Sequence, residues 1–117
     1  MPFKEPWLPL EDILAAIALI EEFTTGMDAD AFQSDVRTVA AVERKLLVIS
    51  EAAIRLGDQA EALCPGLAWR DIRGLGNWLR HQYDGIDVQA IWRTVVHDLP
   101  PLKAAVQRAL ASRPASG

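Results

Sequence analysis

Eight apolar residues, Val39, Val42, Leu46, Ile49, Ala53, Leu56, Ala60 and Leu63, recur at alternating steps of three and four. No other feature of the chain restricts its fold as strongly, because that spacing lines one side of an α-helix. The seam predicts one long helix running through Leu63, capped at its start by Ser34 or Asp35 and broken by Cys64-Pro65-Gly66. Leu47 and Ile54 add a second, narrower stripe beside it. Two stripes fit either the central core helix of a monomeric bundle or a helix that meets its own domain on one side and a partner subunit on the other.

The segments around this helix are also helical in pattern. From Leu10 to about Thr24, Ile13, Ile17 and Ile20 set an apolar face, Glu11 and Asp12 suit the positive N-terminal end, and Gly26 closes the segment. Asp28 is placed to cap a short turn through Phe32. A helix starts near Trp69 and ends at Gly85, which suits a left-handed C′ position. Asp87 then caps the next, with Ile86 and Ile91 spaced as a hydrophobic staple. This helix carries Ile91, Trp92, Val95, Val96 and Leu99 as far as Pro100-Pro101, and Leu102, Val106 and Leu110 continue an amphipathic tail. The expected organisation is an N-terminal arm over residues 1–9, a helical domain over 10–111 and a frayed tail over 112–117. The fold class is all-α, a small up-and-down bundle of four to five helices.

At 117 residues with half of them apolar, one domain can bury a core without disulfides or metal. The single cysteine, Cys64, has no partner, and no Cys/His cluster has metal-ligand spacing, so neither a metal nor another cofactor is expected. A signal peptide and a membrane-length apolar run are both missing, which points to the cytoplasm. Net charge is −4 but unevenly spread: residues 1–35 hold eight acids and one lysine, whereas residues 36–117 are net +3. A chain of this balance would meet nucleic acid through a local basic patch, not through overall charge. An acidic half that only maintains solubility is the alternative.

The stretch from Arg70 to Asp84 is the one candidate site. At helical spacing Ile72, Leu75 and Leu79 form an apolar back, while Arg73, Asn77 and His81 follow one another at steps of four on a polar front, joined by Arg80. Gly74 and Gly76 each cost about 1 kcal/mol relative to alanine inside a helix, which suggests that another backbone or a ligand lies close. Each polar residue also has a plain structural reading. His81 can bond a carbonyl at its helix end, Tyr83 can pack half-buried with its hydroxyl satisfied, and Arg70 can pair with Asp71 or Asp84. Trp78 and Trp92 read as core or interface anchors, and His97 as structural.

Trp69-Arg70-Asp71-Ile72, Gly74-Leu75-Gly76-Asn77, His81-Gln82-Tyr83 and Ile86-Asp87 together resemble the signature of HepT-like proteins, a branch of the HEPN helical superfamily. The likeness extends to Ala41-Val42-Glu43-Arg44 and Ser50-Glu51-Ala52 on the long helix, and to Ile91-Trp92 and Asp98-Leu99-Pro100, so it spans roughly residues 10–110. The resemblance implies the toxin of a bacterial toxin–antitoxin pair: a metal-independent ribonuclease that forms a homodimer with two motif helices around a shared cleft. It further implies a small nucleotidyltransferase as antitoxin, which transfers AMP to the motif tyrosine. His81 matches the motif histidine, Tyr83 the AMP acceptor and Asn77 the polar residue that follows the motif arginine.

The motif arginine itself, five positions before the histidine, is replaced by Gly76. Arg73 and Arg80 differ by only about 20° in helical direction, so either or both can stand in for it. The expected catalytic set is therefore His81, Arg73, Arg80 and Asn77, acting on RNA. A histidine has an ordinary pKa near neutrality for proton transfer, and a guanidinium matches phosphate oxygens. The alternative is a catalytically degenerate helical module that only binds the nucleotidyltransferase.

Overall fold

A computed structural model describes residues 5–81 and 87–114. Among these residues the elements are α1 (Trp7–Phe23), α2 (Ala29–Ser34), α3 (Val36–Leu56), α4 (Gln59–Leu63), α5 (Trp69–His81), α6 (Val88–Arg93), a π-helical turn (Thr94–Asp98) and α7 (Leu99–Ala111), with no strand. Four long helical runs make the bundle: α1, α3, α5 and the α6–π–α7 run. The short α2 and α4 are connections.

The predicted seam is the core of α3. Val42, Leu46, Ile49 and Ala53 are completely buried, and Leu56 nearly so. They meet Leu10, Ile13, Ile17 and Ile20 of α1, Ile91 of α6 and Val106 of α7, all sealed from solvent. Full burial of such an aliphatic side chain contributes about 1.5–3 kcal/mol, so this cluster is the main source of stability. Helix α3 packs against both α1 and α5, and α1 packs in turn against α7. The α1–α7 pair is antiparallel: Lys103 reaches Glu21 at 3.0 Å while Arg113 reaches Glu11 at 3.2 Å. The side chains of Asp28, Asp35 and Asp87 accept from the backbone N–H three residues on, so these three predicted caps are present.

Three boundaries differ from the sequence expectation. Helix α1 begins at Trp7, inside the predicted arm; Pro6 and Pro9 flank its first turn, where a missing N–H leaves no intrahelical bond unmade. Helix α3 ends at Leu56, not Leu63, because Gly57 takes φ +55° and turns the chain. Ala60 and Leu63 still join the core from α4. Apolar periodicity reports which face a residue takes, and it cannot register a break that preserves the face.

Nor do Pro100 and Pro101 end a helix. They lie in the first turn of α7, and the chain enters it through a π turn in which the Leu99 N–H bonds the Thr94 carbonyl five residues back. The wider turn makes room for two residues that cannot donate to the preceding ladder. Phe32 of α2 packs on Trp92 with ring centroids 5.0 Å apart, so Trp92 is a packing anchor. Among the described residues no helix is long and apolar enough to cross a membrane.

Candidate active site

Helix α5 starts where it does because Trp69 is buried and its indole N–H donates to the Cys64 carbonyl at 2.8 Å, which closes the Cys64-Pro65-Gly66 turn. Ile72, Leu75 and Leu79 form its half-buried back, as the spacing predicts. One side chain of α3 then ties the helix in register. Ser50, only 1% exposed, donates its hydroxyl to the Arg73 carbonyl (2.8 Å) and accepts from the Gly76 N–H (3.0 Å). A buried hydroxyl used in both senses is fully satisfied and holds its neighbours firmly.

The two glycines of α5 have different surroundings. A β-carbon at Gly76 would stand 3.0 Å from Leu47 Cδ1 and 3.2 Å from Ser50 Oγ, so the groups pressed against Gly76 are two side chains of α3 of the same chain. At Gly74, which is exposed, a β-carbon would meet nothing within 4 Å.

The arginines separate in the same way. Arg73 makes a two-pronged pair with Glu61, with Nη1 to Oε1 at 3.2 Å, and also donates to the Gly57 carbonyl at 3.3 Å. It therefore clamps α5 to α4 across the break at Gly57. The pairing holds the Glu61 carboxyl below its usual range and raises the Arg73 guanidinium. Arg80 is exposed and folds back along α5 until its Nη1 lies 3.5 Å from where a Gly76 β-carbon would be. Its guanidinium thus covers the position that carries arginine in the resembled motif. Asn77 and His81 are exposed at the same end of α5. Tyr83, Gly85 and Ile86 lie outside the described residues.

The structure thus places Asn77, Arg80 and His81 together on the exposed end of α5 and draws Arg73 toward α4. It also adds three residues to the picture that spacing along α5 did not indicate: Ser50, Glu61 and Glu43. The Glu43 carboxyl has one oxygen, Oε2, buried without a hydrogen-bond partner among the described residues. Glu43 and Ser50 are seven residues apart on one line of α3, two polar positions beside an apolar seam, and that line was visible in the sequence. An apolar cleft of about 330 Å³ opens elsewhere, between the first half of α5, the π turn and α7. Ile72, Leu75 and Leu102 line it with His97 and Asp98 near its polar edge, and Asn77, Arg80 and His81 take no part in it. Among the described residues no three His, Cys, Asp or Glu side chains converge as metal ligands.

The family model described as ribonuclease HepT-like matches residues 13–109. A Thermococcus cleftensis protein named "Probable ribonuclease HepT" is 39% identical over 99 residues, which are 85% of this chain and 90% of that protein. MJ1380 of Methanocaldococcus jannaschii, whose name also assigns it to the RNases, is 34% identical over 84% of this chain and 90% of its own length. MJ0127 of the same organism is 36% identical over 86% of this chain and 83% of its own length. No solved structure gives a significant match. With the model covering most of the domain and the motif helix in place, the chain belongs to the HepT-like ribonuclease family.

Proposed function

We propose that this protein is a metal-independent RNA endonuclease that acts as the toxin of a toxin–antitoxin pair. In this reading the 2′-hydroxyl of the RNA attacks the adjacent phosphate, His81 moves a proton, and Arg80 carries the charge that builds on the phosphorane oxygens. The observation that carries the assignment is the position of the Arg80 guanidinium over Gly76, beside Asn77 and one residue from His81. A cation lies over the residue that is arginine in the family motif, delivered from one turn further along the helix. Arg73 is the poorer candidate, since its guanidinium is already engaged by Glu61 and the Gly57 carbonyl.

Two copies joined in a homodimer would place two such helix ends around one phosphate, which offsets the acidic overall balance. A small nucleotidyltransferase would silence the site by transferring AMP from ATP to the Tyr83 hydroxyl, with release of pyrophosphate. The added nucleotide blocks RNA through both bulk and negative charge. With nucleotidyltransferase and ATP, intact mass should rise by AMP units, and Tyr83→Phe should abolish the rise. Unchanged modification of that variant removes the acceptor assignment.

Gly76 itself favours the second reading, a degenerate module that only binds the nucleotidyltransferase. Purified protein decides between them: RNA cleavage that disappears in His81→Ala supports the nuclease, and an inert unaltered protein supports the module. Gly76→Arg is a less simple restoration than the motif suggests. The new side chain needs Leu47 to give way by a few tenths of an ångström and competes with Arg80 for the same space.

A further inference from the structure

RNA cleavage by an internal 2′-hydroxyl needs two proton transfers, one from the attacking oxygen and one to the leaving oxygen. The motif supplies one histidine per chain. We propose that Glu43 is the second proton-transfer group of the cleavage site, the base that takes the 2′-hydroxyl proton while His81 supplies one to the 5′-oxygen. This rests on the reading of His81 and Arg80 given above. In the step, the O2′–H bond breaks and its proton goes to the Glu43 carboxylate as the O2′–P bond forms. The P–O5′ bond breaks and O5′ takes a proton from the His81 imidazolium. The products are a 2′,3′-cyclic phosphate and a free 5′-hydroxyl, and exchange with solvent resets both side chains.

The placement follows from helix register. Ser50 of α3 meets Arg73 and Gly76 of α5, while Leu47, three residues earlier, also touches the Gly76 position, so the two helices run antiparallel. Glu43 lies seven residues before Ser50, about 10.5 Å along α3 and within about 20° of the same direction. Seven residues beyond Arg73 on α5 is Arg80. Glu43 is therefore level with Arg80 and His81, on the line of α3 that faces α5. There its Oε2 is buried without a hydrogen-bond partner among the described residues, although an unpaired buried carboxylate is costly.

Burial, as sole cause, pushes the Glu43 carboxyl above the ordinary glutamate range, toward the pH at which a base is useful. The charged groups on the elements packed against α3 are largely engaged elsewhere. Asp12 of α1 pairs with Arg55, and Glu61 of α4 with Arg73. Next to α2, Asp35 caps α3 itself and Asp30 is exposed. At the level of Glu43, α5 brings Arg80 and His81, and Arg44 follows Glu43 on its own helix.

The test follows the Glu43 carboxyl carbon and the His81 ring by NMR across pH, without and with a 2′-deoxy oligonucleotide, which binds as RNA would but cannot be cleaved. Glu43 should titrate above an ordinary glutamate and move higher when the phosphates arrive, and His81 should shift in the same experiment. In the cleavage assay the rate should fall as pH drops through the Glu43 value, because a base must be deprotonated. Glu43→Gln should lose that acid limb and about 10²–10⁴-fold in rate, and Glu43→Asp should restore part of it. If the oligonucleotide moves His81 but leaves Glu43 where it was, or Glu43→Gln keeps the acid limb, the proposal is overturned while the nuclease reading survives. If neither group responds and no RNA is cut, both fall together. Should Glu43→Gln fail to fold, the titration of the unaltered protein still decides.

Discussion

Gly74→Ala and Gly76→Ala are the same chemical change two residues apart, and the structure assigns them opposite consequences. An alanine inside a helix is worth about 1 kcal/mol over glycine. At Gly74 the new methyl meets nothing within 4 Å, so the whole gain should appear. For a domain of this size that is a rise of about 4 °C in the unfolding midpoint. At Gly76 the methyl would sit 3.0 Å from Leu47 Cδ1 and 3.2 Å from Ser50 Oγ. Leu47 is half-buried and can turn aside, but Ser50 is fixed between the Arg73 carbonyl and the Gly76 N–H. Loosening those two bonds costs about 1 kcal/mol each, which offsets or exceeds the helix gain. Gly76→Ala should therefore be neutral to about 1 kcal/mol destabilising, a gap of roughly 1–2 kcal/mol between the two variants.

Thermal and urea unfolding of both variants, repeated over a range of protein concentrations, measures the gap. Equal stabilisation at both sites would refute the close approach of α3 to α5. A concentration-dependent loss in Gly74→Ala would mean that a second copy covers Gly74, which would put the open face of α5 inside the dimer.

Arg80→Ala should lower RNA cleavage by about 10²–10³-fold with little change in unfolding midpoint, whereas Arg73→Ala should act mainly on stability by releasing α4. Comparable losses of cleavage from both variants would defeat the distinction between them. The Cys64 thiol is buried, lies 3.7 Å from the Ala105 carbonyl, and is raised by that burial, so an aromatic disulfide reagent at pH 8 should react with it only after denaturation. Rapid reaction of the native protein would show that the face between α4 and α7 opens. Glu61 and Asp35 are held below their ordinary pKa by Arg73 and by the Thr38 N–H respectively. Their stabilisation is present above the unfolded carboxylate values and is lost as pH falls through the lower folded ones. The acid limb of the stability curve should accordingly flatten in Glu61→Gln, and an unchanged limb would count against the Arg73–Glu61 clamp.

Much of this protein is legible from residue order alone, because helices are local. The step of three and four from Val39 to Leu63 marks the face of α3 and α4 that packs into the core, and Asp28, Asp35 and Asp87 cap the helices that follow them. The motif order from Trp69 to Ile86 points to the family, and the helix described over Trp69–His81 is the one that order predicts. Spacing could not rank Arg73 against Arg80, since both leave α5 in nearly the same direction. Their difference is made by what lies opposite: Glu61 and the Gly57 carbonyl hold one, while the side-chain-free surface of Gly76 receives the other. The same holds for the end of α3 at Gly57, the π turn ahead of Pro100, and the buried oxygen of Glu43. The hold of Glu61 and Gly57 on Arg73 joins residues far apart in the chain, and the turns at Gly57 and ahead of Pro100 leave the apolar face unchanged, so a local pattern carries neither.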